Sequence, residues 1–342
     1  MARVIGWDIG GANVKAARLE FSKGRAESGR AVRRYFEIWK DKAALRPLLQ
    51  EIHKELGSAD AMVLTMTAEL ADVFRDRAEG VAYIIRSASE AAPGMPLYAV
   101  DLGGRLISLD GKEVDLLAFA ATNWVAEALV LADRLPNCLM LDIGSTTTDV
   151  IPILDGRLAS KGKRDIARLA CGELIYTGAL RTPVPAIVSQ IPVRGTICRI
   201  SAEYFAIAAD VYLALGRLMP EEYTCSTPDG RGKTKEEALG RLARVACEDG
   251  TGLTAGQVEA MAAFIAEKQV QQVTEGMFQV LSRIDRGFGL PVVPIGIGTF
   301  LGAACAGRLR LAIQDPPALT DEGSAPFSPC TAAAYLLGKA LG

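Results

Sequence analysis

The sequence has few of the residues from which metal centres and histidine-based catalytic sites are usually built. It contains a single histidine, His53, and its seven cysteines are scattered without any Cys-x-x-Cys pair. This pattern argues against a zinc knuckle, a disulfide framework and a site of several histidines. A Ser-His-Asp triad would depend on His53 alone, and His53 lies in a charged helical stretch where a solvated position is expected.

An excess of one charge and a long apolar run are also missing. Lysine and arginine number 38 against 40 acidic residues, which gives a net charge of −2. No strong basic field is therefore present to hold nucleic acid or an anionic membrane. Residues 125–132 are apolar apart from Glu127, but this stretch is too short to cross a bilayer.

These absences favour a cytoplasmic protein that acts on small molecules. The first predicted strand begins almost at the N-terminus, so no signal peptide is visible. Unpaired cysteines fit a reducing compartment. We expect small-molecule substrates as partners, with no nucleic acid and no membrane, and a homodimer is compatible with the sequence.

What is present is an ordinary globular composition and a short phrase that occurs twice. Residues 5–15 read IGWDIGGANVK, and residues 140–150 read MLDIGSTTTDV. Each copy has an apolar run, then Asp-Ile-Gly, then a small polar turn and β-branched residues. This order predicts a β-hairpin whose tight turn exposes backbone amides, which suit phosphate oxygens. The predicted phosphate-binding residues are Gly10, Gly11, Ala12, Asn13, Gly144, Ser145, Thr146 and Thr147.

An aspartate closes the first strand of each predicted hairpin. Asp8 and Asp142 would lie beside the phosphates, where a carboxylate can hold Mg²⁺ directly or through water. Lys15 would add a positive charge at the first hairpin. A single copy of the phrase has the composition of any β-turn after a buried strand. Two copies, at the starts of two comparable halves, favour phosphate binding.

Hydrophobic periodicity and turn residues predict an alternation of strands and helices. Strands are predicted at residues 3–9, 13–20, 31–38, 61–65, two within 97–109, 138–143, 147–154, 157–160, 184–188, 192–198 and 292–295. Helices are predicted at residues 41–56, from 66 onward, 80–90, 113–134, 202–217, 235–248, 254–283 and 328–341. The chain is long enough for two domains with full cores, and we place them at residues 1–120 and 121–342.

Several further polar residues are candidates for the site. Thr67 and Glu69 follow a buried strand, at the usual place for ligands in open α/β sheets, although Glu69 would also suit the first turn of a helix. Asp210 lies on an apolar helix face and is expected to have a partner or a ligand. The other candidates are Glu173, Arg181, Arg231, Lys233, Gly296 and Gly298.

Residues 224–234 form the longest polar stretch of the chain. With Asp229, Arg231 and Lys233 among Gly, Ser, Thr and Pro, it has the composition of a mobile lid over an anionic substrate. An ordinary exposed loop has the same composition, so both interpretations stay open. Arg181 could likewise hold a carboxylate or phosphate bidentately, or be a plain surface arginine.

The paired Asp-Ile-Gly phrases resemble the two phosphate loops of the superfamily of acetate and sugar kinases, heat-shock-70 proteins and actin. The resemblance implies an α/β fold of two related ribonuclease-H-like domains with a central cleft. It is specific for the fold and poor for the reaction, because one fold hosts many chemistries. In this superfamily the glycines of a strand-to-helix turn, here Gly296 and Gly298, lie at the adenosine.

The order of the motifs is similar to one narrow branch, the hydantoinase/oxoprolinase-like proteins linked to tetrahydromethanopterin-dependent one-carbon transfer. The motifs are DIGGAN, TMTAELAD, NW, DIGSTTTD, YTGALRTP and DGRGKT, in that order along the chain. Archaeal members of this branch are similar to a synthase of methanofuran biosynthesis, and a bacterial member would serve a methylofuran-type cofactor. The chain lacks the large size of true ATP-dependent hydantoinases and oxoprolinases.

The resemblance implies a transferase. An (aminomethyl)furanylmethyl diphosphate would condense with the phenol of a glutamyl tyramine, giving an aryl ether and diphosphate. The implied roles are Lys15 and Mg²⁺ on the leaving group, Glu69 or Asp149 as base, and Arg181, Arg231 or Lys233 on the glutamyl carboxylates. ATP is not favoured as a cofactor. Two alternatives remain, an ATP-dependent kinase or amidohydrolase of the same fold and a non-catalytic sensor of a phosphorylated metabolite.

Overall fold

The computed structural model describes residues 2–111, 114–285, 287–321 and 325–342. Within these ranges the strands are β1 (Ala2–Ile9), β2 (Asn13–Ser22), β3 (Arg25–Tyr35), β4 (Ala61–Met66), β5 (Leu97–Val100), β6 (Leu106–Ser108), β7 (Cys138–Ile143), β8 (Thr148–Leu154), β9 (Arg157–Leu158), β10 (Leu174–Ile175), β11 (Gln190–Val193), β12 (Thr196–Arg199) and β13 (Val292–Ile295).

The helices of the same ranges are α1 (Leu45–Leu56), α2 (Arg77–Ala91), α3 (Asn123–Arg134), α4 (Asp165–Ala170), α5 (Val184–Ile187), α6 (Ala208–Ala214), α7 (Lys235–Val245), α8 (Ala255–Leu281), α9 (Thr299–Leu309) and α10 (Pro329–Leu341). Short 3₁₀ turns lie at Lys42–Ala44, Leu116–Phe119 and Gly287–Gly289. None of the helices in the described ranges is both long and apolar enough to cross a membrane.

The chain divides into two compact units. Unit 1 comprises Met1–Pro136, Ile153–Leu158 and Pro316–Gly342, and unit 2 comprises Asn137–Pro152 and Ala159–Asp315. The sequence prediction placed one boundary at residues 120/121. The structure differs because α3 belongs to unit 1, and the chain returns to unit 1 with α10.

The sheet of unit 1 has the strand order β3-β2-β1-β4-β5-β6. β1, β2 and β3 form an antiparallel meander, whereas β4 runs parallel to β1 and β5 parallel to β4. The side chains of Ile5, Trp7 and Ile9 alternate along β1 and share one core with α1 and α2. This arrangement follows from a strand whose two faces are both buried under helices.

The opposite face of β1 is covered by α10. The close approach depends on Gly6, since a Cβ at this position would overlap the Cys330 carbonyl oxygen. β1 ends at Ile9, directly before the first hairpin turn. The packing of α10 on β1 therefore also fixes the strand that leads to that turn.

Unit 2 is built on the strand order β10-β8-β7-β13, with β7 and β13 parallel. Its core includes Leu139, Leu141 and Ile143 of β7 together with buried residues from α6 to α9. Because alternate residues of β7 fill this core, the strand ends at a fixed position, and the second hairpin begins directly after it.

Several predicted elements were wrong. The single strand expected at residues 192–198 is two antiparallel strands, β11 and β12, joined by a turn at residues 194 and 195. Residues 184–188 form the short helix α5 and not a strand, and Pro185 lies in its first turn, where a proline needs no amide partner. Residues 67–76 form turns and not the helix predicted from residue 66 onward. The next helix, α2, begins after Asp76, whose side chain caps it by accepting from the Glu79 amide. The predicted helix 113–134 is an α-helix only from Asn123, after a 3₁₀ turn at Leu116–Phe119, and its start at residue 113 lies outside the described residues.

Candidate functional site

The first hairpin turn joins β1 to β2 in unit 1. The Gly10 amide donates to the Asn13 carbonyl at 2.9 Å, which closes the turn. The carbonyls of Gly11 and Ala12 accept from the amides of Ile38 and Phe36, at 3.1 Å each. Among the described residues, no protein group accepts from the amides of Gly11 and Ala12. The turn therefore offers donors and not acceptors to a ligand.

The second hairpin turn, in unit 2, repeats this arrangement. The Gly144 amide donates to the Thr147 carbonyl at 2.9 Å, so the bond again spans three residues. The Gly144 carbonyl accepts from Ala179, and the Ser145 carbonyl accepts from Arg181 at 2.7 Å. The repeated phrase thus folds into the same turn twice, as predicted, and in each case a later segment occupies the carbonyls.

Asp8 lies opposite Lys15 in the register of β1 and β2. The Lys15 ammonium approaches the Asp8 Oδ2 atom at 3.1 Å. The Oδ1 atom of Asp8 is buried and has no hydrogen-bond partner in the part of the chain that the structure describes. A buried carboxylate oxygen without a donor is unfavourable unless a cation or another ligand meets it.

Asp142 ends β7 in the same sequence position as Asp8 in β1. Its carboxylate is largely buried beside Gly296. Gly296 has φ +82°, and a Cβ there would overlap the Asp142 carboxylate and the Ile143 carbonyl. A Cβ at Gly298 would overlap the Ile143 side chain. Close packing on β7 thus explains both glycines, and their proposed contact with adenosine stays a prediction.

The residues present fit a magnesium ion of the kind that substrate phosphates complete. No group of three His, Cys, Asp or Glu side chains suitable for a metal occurs within the described ranges. Mg²⁺ does not need such a cage, because it commonly uses one or two carboxylates, water and phosphate oxygens. The unpartnered Asp8 Oδ1 atom is a suitable ligand.

Thr67 and Glu69 follow β4, next to the first hairpin. The Thr67 amide donates to the Ile9 carbonyl at 3.0 Å, and its hydroxyl lies 3.4 Å from the place of a Cβ on Gly10. Thr67 is exposed, whereas Glu69 is buried. The structure therefore brings Thr67 to the first hairpin, and the role of Glu69 stays a prediction.

Asp149 and Glu173 are both engaged in buried ion pairs. Asp149 lies seven positions after Asp142, as Lys15 does after Asp8, and its Oδ1 atom accepts from Arg168 at 2.6 Å. Burial raises the pKa of Asp149, and Arg168 acts in the opposite direction. Glu173 accepts from the Gly162 amide at 2.8 Å and pairs with Arg283. The proposed roles of both carboxylates remain untested.

Asp210 has the partners that its burial required. Its carboxylate accepts from Arg241 Nε at 2.8 Å, the Tyr223 hydroxyl at 3.1 Å and the Ile207 amide at 3.0 Å. Burial raises the pKa of Asp210, and Arg241 opposes this shift. No local sequence signal points to Tyr223 and Arg241, because neither lies within ten residues of Asp210.

The cationic candidates occupy different environments in unit 2. The Arg181 guanidinium is 3.4 Å from the Thr146 hydroxyl of the second hairpin. Lys233 is half-buried, with Nζ 5.3 Å from the centre of the Tyr223 ring. Arg231 is exposed and 4.0 Å from Asp229. Arg181 is thus placed at a hairpin, and Lys233 at the network of Asp210.

The hydantoinase/oxoprolinase family matches residues 60–312 of this sequence. The chain belongs to this family. A relative from Methanocaldococcus jannaschii is 40% identical over 247 residues, which cover 72% of each chain, and bears the name (4-{4-[2-(γ-L-glutamylamino)ethyl]phenoxymethyl}furan-2-yl)methanamine synthase. A Methanococcus vannielii protein of the same name is 37% identical over 163 residues, covering 47% of this chain and 71% of the relative.

The fold is also found in acetone carboxylase, in a nucleotide-free structure described under ATP-dependent acetone carboxylation. The two chains are 12% identical, and the match covers 98% of this chain and 70% of the acetone carboxylase chain, with a TM-score of 0.56. At this identity the likeness concerns the fold alone. It agrees with the α/β fold that the sequence predicts.

Proposed function

We propose that this chain is a transferase of methanofuran-type or methylofuran-type cofactor assembly, which forms an aryl ether and releases diphosphate. The observation that carries the proposal is the 40% identity to a protein named for such a product. In that name a phenoxymethyl bond joins a 4-[2-(γ-glutamylamino)ethyl]phenol to a furan that bears an aminomethyl group. The amides of Gly11 and Ala12, for which the described residues provide no acceptor, support a phosphorylated donor.

The proposed step is a substitution at the furanylmethyl carbon. The phenol oxygen forms a bond to that carbon, and the bond from carbon to the diphosphate oxygen breaks with its electron pair going to the diphosphate. The phenolic proton passes to a base. The unperturbed pKa of a phenol is about 10, so a base or a nearby cation is needed near neutral pH.

The chain's own residues supply the charge that this step requires. In unit 1 the amides of Gly11 and Ala12 are proposed to bind phosphate oxygens, with Lys15 neutralising the charge on the leaving group and Asp8 as a ligand for Mg²⁺. In unit 2 the amides of Ser145 and Thr146, together with Arg181 and Asp142, are proposed for the corresponding roles. Glu69 and Asp149 are the proposed bases.

An ATP-dependent kinase or amidohydrolase is the rival function. The feature that motivated it was the glycine pair at residues 296 and 298, and both glycines are accounted for by packing on β7. Calorimetry with ATP separates the two. Micromolar ATP binding with hydrolysis stimulated by a phenolic acceptor would replace the transferase proposal.

Gly11→Ala tests the first phosphate turn with little disturbance of the fold. A Cβ at this position would meet only the Trp39 ring, at 3.8 Å. We expect diphosphate affinity to fall about tenfold or more, because a methyl group obstructs the amides, with an unchanged melting temperature. Gly11→Val should do greater harm.

The matched control for Gly11→Ala is Gly240→Ala, a helix position where a Cβ meets nothing within 4 Å. Binding of inorganic diphosphate by calorimetry and ether formation by mass spectrometry are the two readouts. Full binding and turnover in Gly11→Ala would remove this turn from the site. Diphosphate binding without turnover in the wild type would favour a non-catalytic sensor.

The proposal also includes a cytoplasmic location, small-molecule partners and a homodimer. All seven cysteines are free, which fits a cytoplasmic location. The proposed partners are the diphosphate donor and the phenolic acceptor. Sedimentation analysis tests whether two copies of the chain form the homodimer.

A further inference from the structure

We propose that Lys233 binds the carboxylate of the acceptor's glutamyl group, and that Tyr223, Asp210 and Arg241 are positioning residues for this lysine. The inference rests on the proposed function, whose acceptor carries a γ-glutamyl group. It selects one cation from the three that the sequence offered, and it adds two residues, Tyr223 and Arg241, that the sequence did not indicate.

The backbone on both sides of Lys233 is held by hydrogen bonds. The carbonyl of Gly232 accepts from Arg241 at 3.1 Å, and the amide of Gly232 donates to Glu237 Oε1 at 3.0 Å. The amide of Thr234 donates to Glu237 Oε2 at 3.1 Å. Thr234 in turn caps α7 through its hydroxyl. Lys233 is therefore presented from a fixed segment, although its composition resembles that of a mobile loop.

The network behind this segment contains two fully buried charges, Asp210 and Arg241. Burying an ion pair often gives no net gain over apolar residues of the same size, so it is weak evidence for stability. Here one guanidinium reaches both Asp210 and the loop, where it binds Asp229 at 3.2 Å as well as Gly232. The arrangement orients the loop, which two apolar residues of the same size would not do.

The side chain of Lys233 is set above the Tyr223 ring, and the hydroxyl of that tyrosine donates to Asp210. A cation over an aromatic face is attracted by the ring, and the ring also limits where the ammonium can move. The tyrosine thus transmits the position of the buried pair to the lysine, and it does so without neutralising the lysine's charge.

The acidic groups of this region are occupied by other donors. Asp210 is bound by Arg241, Asp229 by Arg241 and Arg244, and Glu237 by two backbone amides. Within the described ranges no carboxylate lies within 4 Å of the Lys233 ammonium. Its charge is left for an anion from outside, whereas Arg231 already approaches Asp229.

The positive charges of Lys233 and Arg181 both affect the pKa of the Cys225 thiol in unit 2. Burial raises the pKa of the Cys225 thiol to about 11, and the charges of Arg181 and Lys233 both oppose this shift. Arg181 also contacts Thr146 of the second hairpin. Hydrogen bonds link the Asp210 network to the same hairpin, because the Ala209 amide donates to the Leu180 carbonyl at 3.0 Å and the Leu180 amide donates to the Ser145 carbonyl at 3.1 Å. The lysine subsite is thus connected to a phosphate turn of its own unit, as expected for an acceptor that must meet the donor.

Calorimetry on the full chain tests the proposal with 4-[2-(γ-glutamylamino)ethyl]phenol and tyramine as probes. The wild type should bind the glutamyl compound more tightly than tyramine. Lys233→Gln should weaken only the glutamyl compound, by about tenfold or more, as for loss of a charged hydrogen bond. Lys233→Arg should restore part of the affinity. Lys235→Gln, which removes a neighbouring lysine paired with Glu259, is the matched control.

Three results would overturn the proposal. These are equal binding of the two probes by the wild type, an equal loss for both in Lys233→Gln, and a loss confined to inorganic diphosphate. Turnover separates these failures from failure of the proposed function. Selective glutamyl binding without ether formation would reject the function alone, and ether formation unaffected by Lys233→Gln would reject the subsite alone.

The positioning role has its own readout. Tyr223→Phe keeps the ring under Lys233 and removes the bond to Asp210, so KM for the acceptor should rise severalfold with kcat and KM for the donor unchanged. Tyr223→Leu, which also removes the ring, should raise the acceptor KM further. A fall in kcat for both substrates would indicate a merely structural tyrosine.

Discussion

Asp8 and Asp142 occupy matching positions, but only Asp8 has a buried carboxylate oxygen with no hydrogen bond within the described residues. We expect Asp8→Asn to abolish the magnesium-dependent part of diphosphate binding, because the neutral amide no longer attracts the cation. Its melting temperature should change little, because removal of a buried charge offsets the loss of the part-exposed ion pair with Lys15.

The measurement for Asp8→Asn is diphosphate titration with and without Mg²⁺, beside thermal unfolding. Asp142→Asn serves as the parallel variant at the second hairpin. If Asp8→Asn keeps full magnesium dependence, the ion is held elsewhere.

Arg241 neutralises Asp210 in a fully buried pair. Arg241→Met should lower the free energy of unfolding by about 3–5 kcal/mol, because it leaves the carboxylate buried and unpaired. The double variant Arg241→Met with Asp210→Leu should recover most of this loss. Denaturant unfolding of the single and double variants checks both statements.

The pH dependence of Arg241→Met follows from the sign of the pKa shift. Burial raises the pKa of Asp210 in the folded protein, and loss of Arg241 raises it further. The stabilisation that the protein gains from a neutral Asp210 is fully present below the ordinary pKa of an aspartate. It is lost as the pH rises through the raised pKa of Asp210 in the folded protein. The loss in Arg241→Met should therefore be smaller at acidic pH than at pH 7, and a larger loss in acid would contradict this account.

The cysteines differ in reactivity because only the thiolate attacks. Burial raises the pKa of Cys138 and of Cys305 to about 12, whereas Cys247 is exposed. At pH 8 we expect a maleimide to label Cys247 first, and to reach Cys138 and Cys305 only after unfolding. Mass spectrometry of the labelled peptides measures this order.

At the scale of elements, the two hairpins could be predicted because their turns depend on a few consecutive residues. Arg168, Tyr223 and Arg241 could not, because their partners lie elsewhere in the chain and no local pattern marks a buried arginine. The helix expected after residue 66 failed for a related reason. Asp76 and Glu79 together provide a stronger helix start ten residues later.

The packing of α10 on β1 depends on a single missing side chain. Gly6→Ala should lower stability by about 1–3 kcal/mol or more, because the added methyl overlaps the Cys330 carbonyl and the backbone must shift. Gly307→Ala, on α9 with nothing within 4 Å of its Cβ, is the control and should be neutral or stabilising. Equal unfolding midpoints for the two variants would show that the helix adapts.

At the scale of the whole molecule, the sequence predicted two domains but not their boundary. The predicted boundary is a single point along the chain, whereas unit 1 is assembled from three segments. The last of these carries α10, whose apolar stripe looks like that of any core helix. The sequence of residues 329–341 does not by itself indicate which sheet the helix covers.

Ending the chain after Ser328 tests this assembly. Without α10, one face of β1 and β2 loses its cover, so we expect rapid hydrogen exchange throughout these strands. Unit 2 should keep its protection, because α10 is not part of it. Removing Gly342 alone is the control. Retained protection in β1 and β2 would mean that the sheet of unit 1 is stable without its final helix.

The return of the chain to unit 1 has a consequence for the order of synthesis. A ribosome makes residues 137–315 before it makes α10, so all of unit 2 is available to fold before that helix exists. β1 is made before unit 2, and the face of β1 that α10 covers stays exposed until α10 has been made. Nascent chains usually fold from the N-terminal domain onward. Here the strand that leads to the first phosphate turn is made before the whole of unit 2 and is covered only after it.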